Sequence, residues 1–402
     1  MKHTRVTIKQ NKVNLYKINQ CPLIEKEHMQ SIPSLKEGTL IELATPQGEF
    51  IGTGYYGVQN KGIGWVLTQK QGELIDDTFF TKKIRTAIDK RRTFFDMVGT
   101  NVFRLFNGEG DGIGGLTIDY YDGILVITWY SEGIYSFRDS IISALEQPIP
   151  ILDGIKGIYQ KKRFNDKGQF VEESSFLKSE QAPEPLIVEE NAVKYAVYLD
   201  DGAMTGIFLD QKDVRGRIKN HYAKDMTVLN TFSYTGAFSI AAAIGGAKST
   251  TSVDLAKRSL SKTREQFLLN DIDLEGQDIV VMDVFDYFKW AIKKEKLYDI
   301  AILDPPAFAK SKKMIFTVRK DYTWLVENAI ELTTENGLII ASTNSASLDM
   351  KHFKRQVSQA FMNKHCTYEI VETYTLPEDF VTAETFVRGN YLKVLFIRKL
   401  DR

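Results

Sequence analysis

Short apolar strands alternate strictly with helices from about residue 190 to the end of the chain. Strand patterns occur at residues 228–230, 250–254, 279–283, 298–304 and 337–342, and helical patterns at 237–244, up to 270, at 285–294 and at 319–333. This alternation predicts an α/β domain whose parallel sheet is covered by helices on both faces. The last two strand patterns, 368–372 and 391–398, have no helix of normal length between them, which predicts an antiparallel final strand.

The first 98 residues have a different pattern, in which strands predominate. Short β-branched or aromatic runs at 6–8, 39–43 and 64–67 are separated by turns that contain Gly or Pro, which predicts a β-rich module over residues 1–72. Residues 73–98 are a predicted connecting helix, because Phe79, Phe80, Ile84 and Ile88 recur at helical spacing.

Residues 99–185 are predicted to form a small α+β domain. Asp122-Gly123 is a turn signal between the strand patterns 116–121 and 124–129, which together predict a hairpin. A helix over about 135–145 and a strand near 155–159 follow. Residues 174–184 are polar and lie beside Pro183 and Pro185, which predicts a linker before the α/β domain at 186–402.

Composition limits the class of protein. The 52 basic and 52 acidic residues cancel, so any phosphate-binding surface is a local patch and a uniformly basic coat is excluded. No apolar run approaches the roughly 18 residues of a membrane span, and no apolar signal-peptide core follows Met1. Cys21 and Cys366 are too few and too far apart for a disulfide scaffold. We therefore expect a cytoplasmic protein without a membrane partner.

Three consecutive strand patterns of the α/β domain end in a carboxylate, at Asp254, Asp283 and Asp304. Ligands of open α/β sheets bind beyond the carboxyl ends of the strands, so the three side chains are expected to face one crevice. The alternative interpretation is that each Asp only caps the helix that follows it. Three such residues in a row, next to a Gly-containing first turn, favour a ligand site.

The first turn, residues 230–237, contains small and hydroxyl-bearing residues before a helix, so its backbone can approach a ligand closely. Gly236 precedes Asp254 by 18 residues, a spacing like that of carboxylates that hold a ribose in nucleoside-binding α/β proteins. The dinucleotide motif G-x-G-x-x-G is absent, which disfavours a dehydrogenase. A nucleoside ligand without phosphates, such as S-adenosylmethionine, fits better because its cationic groups suit a crevice lined by carboxylates.

The fourth strand is followed by Asp304-Pro305-Pro306-Ala307-Phe308. The two prolines fix the backbone and remove two N–H donors, which predicts a rigid loop with free acceptors for a planar base. Phe308 is positioned to stack on that base. The alternative is a rigid turn with a core Phe. The basic residues that follow are candidate phosphate contacts, or else a solvated loop.

These stretches resemble the class I S-adenosylmethionine-dependent methyltransferases, and specifically the RlmI-like group of large-subunit rRNA methyltransferases. The matching stretches are residues 103–112, 205–211, 230–236 and 304–308. The D-P-P motif alone is common among methyltransferases, whereas the ordered set is much more specific. The resemblance implies an N-terminal β-rich PUA module that binds RNA, a small α+β central domain and a Rossmann-like α/β methyltransferase domain.

The resemblance also implies site residues. It places Asp254 at the ribose of the cofactor, Asp283 near the adenine amine, and Asp304 facing both the methyl donor and the target base. Asp304, Pro305, Pro306 and Phe308 are the implied catalytic residues, and no metal is implied. The implied cofactor-binding residues are Phe208, Asp210, Gln211, Arg215, Asn230, Phe232, Ser233, Tyr234, Thr235, Gly236, Asp254, Asp283, Val284 and Asp304.

One departure from the group concerns the target atom. RlmI-like enzymes that methylate cytosine carbon-5 resemble each other in having a Cys after the fifth strand, and here that stretch is 343–347, Thr-Asn-Ser-Ala-Ser. Carbon-5 is a poor nucleophile that needs covalent attack, usually by a thiolate, at carbon-6. Guanine nitrogen-7 has a lone pair and needs only orientation. The sequence therefore predicts 7-methylguanosine formation in 23S rRNA.

The expected partner is large-subunit rRNA, free or partly assembled, and edge pairing of the central domain is compatible with a homodimer. Alternatives are cytosine carbon-5 methylation by another route, methylation of a protein or small molecule, and a non-enzymatic RNA-binding protein with a decayed methyltransferase domain. The predicted RNA contacts are Lys310, Lys312, Lys313, Lys90, Arg91, Arg92, Lys161, Lys162 and Arg163, with Lys82, Lys83 and Arg85 as further candidates.

Overall fold

The structure is a computed structural model that describes residues 4–59, 62–147, 155–164, 174–202, 204–310 and 315–400. Its contacts divide the chain into two compact units. Unit 1 comprises Met1–Val188, Tyr198–Thr205 and Glu378–Gly389, and unit 2 comprises Glu189–Val197, Gly206–Pro377 and Asn390–Arg402. Across the described stretches, every helix is too short or too polar to cross a membrane.

Unit 1 contains two five-stranded sheets. The first, in the predicted β-rich module, has the order β1-β3-β4-β5-β2, and the second, in the predicted central domain, has the order β10-β9-β8-β7-β6. The strands are β1 Thr4–Thr7, β2 Leu23–Ile24, β3 Leu40–Ala44, β4 Phe50–Gln59, β5 Gly62–Thr68, β6 Val102–Asn107, β7 Leu116–Tyr121, β8 Ile124–Trp129, β9 Gly157–Lys162 and β10 Ser174–Ser179. A two-stranded hairpin, β11 Leu186–Glu190 and β12 Val193–Val197, contains the boundary between the units.

The sequence predictions for unit 1 fit its elements with three corrections. The hairpin around Asp122-Gly123 is present, and both turn residues have positive φ, 47° and 90°. The helices are α1 Val13–Lys17, α2 Asp77–Lys90, α3 Arg92–Phe95, α4 Glu132–Tyr135 and α5 Arg138–Glu146, so the connecting helix is divided at Arg91 and the helix at 135–145 is two helices. The predicted linker is wrong over Ser174–Ser179, because these residues pair with β9 as an edge strand.

A buried ion pair lies at the break between α2 and α3. The guanidinium of Arg91 is fully buried and lies 2.8 Å from Asp111 Oδ2. It also donates to the backbone carbonyl of Asp379, 2.6 Å from Nη2. A buried charge needs such partners, because an unpaired one costs several kcal/mol. The pair therefore attaches the segment Glu378–Gly389 to α2 within unit 1.

Unit 2 contains a seven-stranded sheet in the order β15-β14-β13-β16-β19-β21-β20. Its first five strands along this order are parallel, while β21 is antiparallel to both β19 and β20, which confirms the predicted antiparallel final strand. The strands of unit 2 are β13 Thr227–Thr231, β14 Ser249–Asp254, β15 Gln277–Val281, β16 Tyr298–Leu303, β17 Phe308–Lys310, β18 Ile315–Thr317, β19 Thr333–Thr343, β20 Tyr368–Tyr374 and β21 Lys393–Lys399. Its helices are α6 Lys212–Arg217, α7 Ala237–Ile244, α8 Arg258–Leu269, α9 Val284–Lys293, α10 Val318–Leu332 and α11 Met350–Asn363.

Both faces of this sheet are apolar. Alternate residues of a strand point to opposite faces, so Ala301 and Leu303 pack with the helices α9, α10 and α11, while Ile300 and Ile302 pack with α6 and α7. This doubly covered arrangement is the predicted fold class. It leaves the carboxyl ends of the parallel strands as the edge on which a site can form.

Candidate active site

The turn between β13 and α7 has an unusual backbone. Phe232, Tyr234 and Gly236 have φ values of 55°, 52° and 80°. Left-handed conformations cost free energy for non-glycine residues and cluster at functional sites. Gly236 is required for space as well, because a Cβ there would lie 2.5 Å from Cγ2 of Thr263. The turn thus places its backbone at the carboxyl end of the first parallel strand.

Asp254, the last residue of β14, supports this turn. Its carboxylate accepts a hydrogen bond from the backbone N–H of Tyr234 (2.8 Å, Oδ2) and another from that of Ala256 (2.8 Å, Oδ1). The side chain is partly exposed, and each carboxylate oxygen has a further lone pair. Asp254 can therefore hold the turn and still accept from a ligand hydroxyl.

Asp283 does not end a strand, which corrects the sequence prediction. β15 ends at Val281, and Asp283 is the N-cap of α9, where its Oδ1 accepts from the backbone N–H of Phe285 at 2.9 Å. Val284 begins the helix and is buried. The capping interpretation holds for Asp283, which lies after β15 at the same edge of the sheet as Asp254.

Asp304 follows the last residue of β16 and differs from the other two carboxylates. Pro306 occupies the position from which Ala256 and Phe285 donate their N–H, so Asp304 has no such donor. Its Oδ1 accepts from Nε2 of Gln211 at 3.1 Å, and the same Nε2 donates to Oγ of Ser342 at 2.7 Å. Burial, reinforced by the negative charge of Asp210, raises the pKa of Asp304 to about 6.

The segment before the first parallel strand lies at the same edge. Asp210 accepts a hydrogen bond from the Tyr391 hydroxyl at 3.0 Å. Arg215 is buried and makes two hydrogen bonds with Glu190, at 2.7 and 2.8 Å, and a third with the carbonyl of Phe208 at 2.8 Å. Arg215 is thus committed to protein partners. It holds the segment in place, which differs from the direct cofactor contact that the resemblance implies.

The donor and acceptor pattern of this edge fits an adenosyl ligand. Oε1 of Gln211 and Oδ1 of Asn230 are buried and accept from no described residue, although Nδ2 of Asn230 donates to Ser239 at 3.0 Å. An unsatisfied buried acceptor is costly, and ligand N–H or O–H groups would relieve it. Phe208 is 44% exposed, and its ring centroid lies 5.5 Å from that of Tyr234, which offers an apolar surface beside the acceptors.

The remaining turn residues are positioned by backbone contacts. Thr235 donates from its hydroxyl to the Gly206 carbonyl at 2.6 Å, and the N–H of Ser233 donates to the Val253 carbonyl at 3.0 Å. Both side chains are buried. The turn therefore has the rigidity that close backbone approach to a ligand requires.

The D-P-P loop leads into a hairpin that the sequence did not predict. β17 and β18 are antiparallel, and Phe308 is 58% exposed at the start of β17. The exposure of Phe308 argues against the alternative interpretation, in which this residue is part of the core. Lys312 and Lys313 lie outside the described residues, as does the side chain of Lys310.

The predicted RNA contacts of unit 1 divide into exposed and engaged side chains. Lys90 and Arg92 are exposed and pair with Asp111 and Asp89 at 3.3 Å each. The fully buried Arg91 is unavailable to a phosphate, which corrects that prediction. Lys161 is likewise buried and donates to the Gly202 carbonyl at 2.6 Å.

The other two predicted contacts of unit 1 adjoin Lys161. Nζ of Lys162 lies 4.7 Å from the ring centroid of Tyr135. Arg163 is partly buried, and its backbone N–H donates to the Trp129 carbonyl at 2.8 Å. Lys162 and Arg163 thus stay candidates for RNA contact.

Neither cysteine belongs to this edge of the sheet. Cys21 is buried in unit 1, and Cys366 is buried in the core formed by α9, α10 and α11. The loop after β19 is held by oxygen and amine groups instead, since Ser345 Oγ lies 3.0 Å from Ser347 Oγ and Nζ of Lys393 donates to the Ser345 carbonyl at 2.9 Å.

The family model described as S-adenosylmethionine-dependent methyltransferase matches residues 103–388, most of the chain. The chain belongs to this family. A PUA-like domain model matches residues 6–69. The chain is therefore an enzyme whose methyl donor is S-adenosylmethionine, and when bound that cofactor supplies an electrophilic methyl group on a sulfonium.

Relatives and solved structures agree with this membership. The Bacillus subtilis protein YwbD, named provisionally as a ribosomal RNA large subunit methyltransferase, is 54% identical over 380 residues, covering 94% of this chain and 95% of that protein. Ribosomal RNA large subunit methyltransferase I of Alteromonas mediterranea is 31% identical and covers 90% of this chain and 91% of that protein. The crystal structure of SMU.776, described as a methyltransferase complexed with SAH, is 40% identical with a TM-score of 0.90, covering 99% of this chain and 100% of that one.

Two polar partners of the site were missed in the sequence. Glu190 neutralises Arg215, and Ser342 shares the Gln211 amide with Asp304. A polar residue at the end of an apolar strand could have indicated Ser342. No local signal indicates Glu190, because its partner is 25 residues away in the chain.

Proposed function

We propose that this enzyme transfers a methyl group to nitrogen-7 of a guanine in large-subunit rRNA. The rRNA substrate is supported by the names of the relatives, which align along almost the whole chain, and by the PUA-like domain. The choice of atom is supported by the chemistry of the site. Cytosine carbon-5 requires a nucleophile that the sheet edge lacks among its described residues, whereas nitrogen-7 already carries its lone pair.

The environment of Asp304 is the observation that most directly supports guanine as the target base. Its carboxylate lies beside Pro305 and Pro306 with free acceptor capacity, and guanine offers two adjacent donors, N1–H and the 2-amino group, that a carboxylate can accept together. Adenine lacks both donors at those positions. Phe308, exposed on the following strand, would stack on the ring. These contacts would hold nitrogen-7 in line with the methyl group, about 3 Å away.

Asp304 and Asp210 would also stabilise the product. A 7-methylguanine ring carries a positive charge, because nitrogen-7 gains a methyl group without losing a proton. Ionised carboxylates placed before the reaction stabilise such developing charge strongly in a water-poor site. The chain needs no general base in this scheme.

The geometry of this edge supports the cofactor roles that the resemblance implies. Asp254 would accept from the ribose hydroxyls, Asp283 and Val284 would border the adenine, and Gln211 and Asn230 would accept from the remaining donors. The turn residues Phe232, Ser233, Tyr234, Thr235 and Gly236 would approach through their backbone, with Phe208 and Asp210 completing the edge. The proposed phosphate contacts are the basic residues Lys90, Arg92, Lys162, Arg163, Lys310, Lys312 and Lys313.

Mass spectrometry of nucleosides from large-subunit rRNA tests the proposal. Cells that lack the enzyme should lose one 7-methylguanosine, and the wild-type gene should restore it while Asp304→Ala should not. Loss of 5-methylcytidine with 7-methylguanosine unchanged would instead show cytosine carbon-5 methylation. Calorimetry with S-adenosylmethionine separates the remaining alternative, because a folded protein that binds none of it would be a decayed methyltransferase.

A further inference from the structure

The hairpin of β17 and β18 has one anchored and one open face. Phe308 pairs with Thr317, Ala309 with Phe316, and Lys310 with Ile315. Directly opposed residues of an antiparallel pair share a face, so Phe308 and Ile315 lie on one face, diagonally opposite each other, and Phe316 lies on the other.

The anchored face is fixed to the cofactor side of the site. Phe316 is fully buried, with its ring centroid 5.5 Å from that of Phe285 and 6.5 Å from that of Phe232. Phe285 in turn lies 5.3 Å from Trp324 of α10. Phe232 belongs to the turn before α7, and Phe285 follows the cap of α9. The aromatic cluster therefore holds the hairpin at a set position relative to the carboxyl edge of the sheet.

The open face presents two large apolar side chains to solvent. Phe308 is 58% exposed and Ile315 is 59% exposed. Residues 310–320, which include β18, contain five basic residues and no acidic residue, and Arg319 and Lys320 are exposed at the start of α10. An apolar pair within a basic segment suits a polyanion that also offers flat apolar surfaces, which is the chemistry of RNA with unstacked bases.

We propose that Ile315 inserts into the base stack of the substrate RNA, at the gap that the target guanine leaves when it turns out onto Phe308. Apolar side chains act in this way in proteins that unstack base steps, and enzymes that modify bases must extract them from a helix. The inference rests on the proposed function and adds a residue that acts on the neighbouring bases. Phe308 meets the target base, whereas Ile315 meets the bases that flank it.

Such a role predicts a dependence on RNA structure. A guanine in a paired stem must be unstacked before it reacts, and Ile315 lowers the cost of the vacated position. A guanine in an unstructured strand is already accessible, and there the isoleucine has little to contribute. The effect of removing its side chain should therefore appear with paired RNA and not with unpaired RNA.

The experiment compares two RNAs that carry the same target guanine, one within a hairpin stem and one within an unstructured strand. With the full-length enzyme, Ile315→Ala should lower kcat/KM ten- to fiftyfold on the stem and at most twofold on the unstructured RNA. Ile315→Leu should keep most of the wild-type rate on both. Leu268→Ala, which removes a 56% exposed leucine from α8 of the same unit, is the matched control and should change neither rate.

A second readout is independent of turnover. With 2-aminopurine next to the target guanine in the stem and S-adenosylhomocysteine present, wild-type enzyme should unstack the neighbouring base and increase the fluorescence, and Ile315→Ala should increase it much less. Equal rate losses on both RNAs, or no loss on the stem, would overturn the inference. If wild-type enzyme instead methylates neither RNA at guanine nitrogen-7, the proposed function itself fails, and the two failures are distinguishable.

Discussion

The carboxylates beyond β14 and β15 differ from the one beyond β16, although all three are Asp side chains at one edge of one sheet. Asp254 and Asp283 each accept a hydrogen bond from the N–H two residues later, at 2.8 and 2.9 Å. Asp304 accepts from a side chain, Gln211, and has a proline at the equivalent position. The first two carboxylates stabilise their own loops, whereas the carboxylate of Asp304 keeps acceptor capacity for a ligand.

The difference shows how a sequence can keep one polar group available. Loops after strands usually satisfy an Asp with nearby backbone donors, because Asx turns and N-caps form readily. Pro305 and Pro306 remove those donors without adding bulk to the site. Asp304 then carries a raised pKa, which is the physical sign of a buried charge that its own loop does not compensate.

The largest expected effect tests whether Asp304 acts on the substrate. Asp304→Ala should reduce methyl transfer to rRNA about a thousandfold, since it removes both the base-orienting acceptor and the charge that stabilises the product. The measurement is incorporation of labelled methyl groups under single-turnover conditions. The control is Asp278→Asn, which changes an exposed residue of β15 and should alter the rate less than twofold. An Asp304→Ala enzyme with near-normal turnover would show that Asp304 does not act on the substrate.

The contribution of Asp304 to the stability of the protein should fall as pH rises, whereas its contribution to methyl transfer should increase. The pKa of Asp304 is raised from 3.8 to about 6, so the folded state binds the proton more tightly than the unfolded state. Stability from the neutral form is full below about pH 4 and is lost as pH rises through about 6. This shift corresponds to a change of at most about 3 kcal/mol in the free energy of unfolding.

Asp304→Asn removes this cost. Denaturant unfolding should show the variant more stable than wild type by up to about 3 kcal/mol above pH 7, with the difference falling toward zero below about pH 4. Activity should follow the reverse course in wild type, rising through about pH 6 as the carboxylate ionises. A stability difference that does not change with pH would mean that the pKa of Asp304 is not raised in the folded protein.

The sequence predicted the sheet well, for local reasons, whereas the roles of the candidate site residues stay predictions. The β13–α7 turn, the helix over 237–244 and Asp304-Pro305-Pro306 are consecutive residues whose pattern carries the structure. The roles of Arg91, Arg215 and Lys161 were missed because burial depends on partners far away in the chain. Arg91, for example, donates to Asp379, 288 residues later. A basic residue in a basic run gives no local sign that it is enclosed.

A smaller effect should follow from giving Asp304 the donor that its neighbours have. Pro306→Ala restores an N–H at the position that Ala256 and Phe285 occupy relative to their Asp. That donor should lower the pKa of Asp304 and occupy one acceptor oxygen, so the rate at pH 7.5 should fall about tenfold and the acid limb of the pH–rate profile should move to lower pH.

Pro305→Ala is the matched control for this change. It also replaces a proline of the loop, but the N–H that it restores lies one residue after the Asp. Asp254 and Asp283 instead accept from the N–H two residues later. The acid limb should stay in place in this variant. If both variants move it equally, general loosening of the loop, and not the restored donor, is responsible.

The smallest effect concerns a carboxylate that its own helix uses. Asp283→Ala removes the N-cap of α9 and should lower the free energy of unfolding by about 1 kcal/mol, as capping losses usually do. Asp283→Ser keeps a capping oxygen and should recover most of that stability. If Asp283 also borders the adenine, both variants should weaken S-adenosylhomocysteine binding in calorimetry by a similar factor, whereas a residue that only caps should let Ser restore the binding too. The pair of variants thus separates the two roles that one carboxylate at this edge can combine.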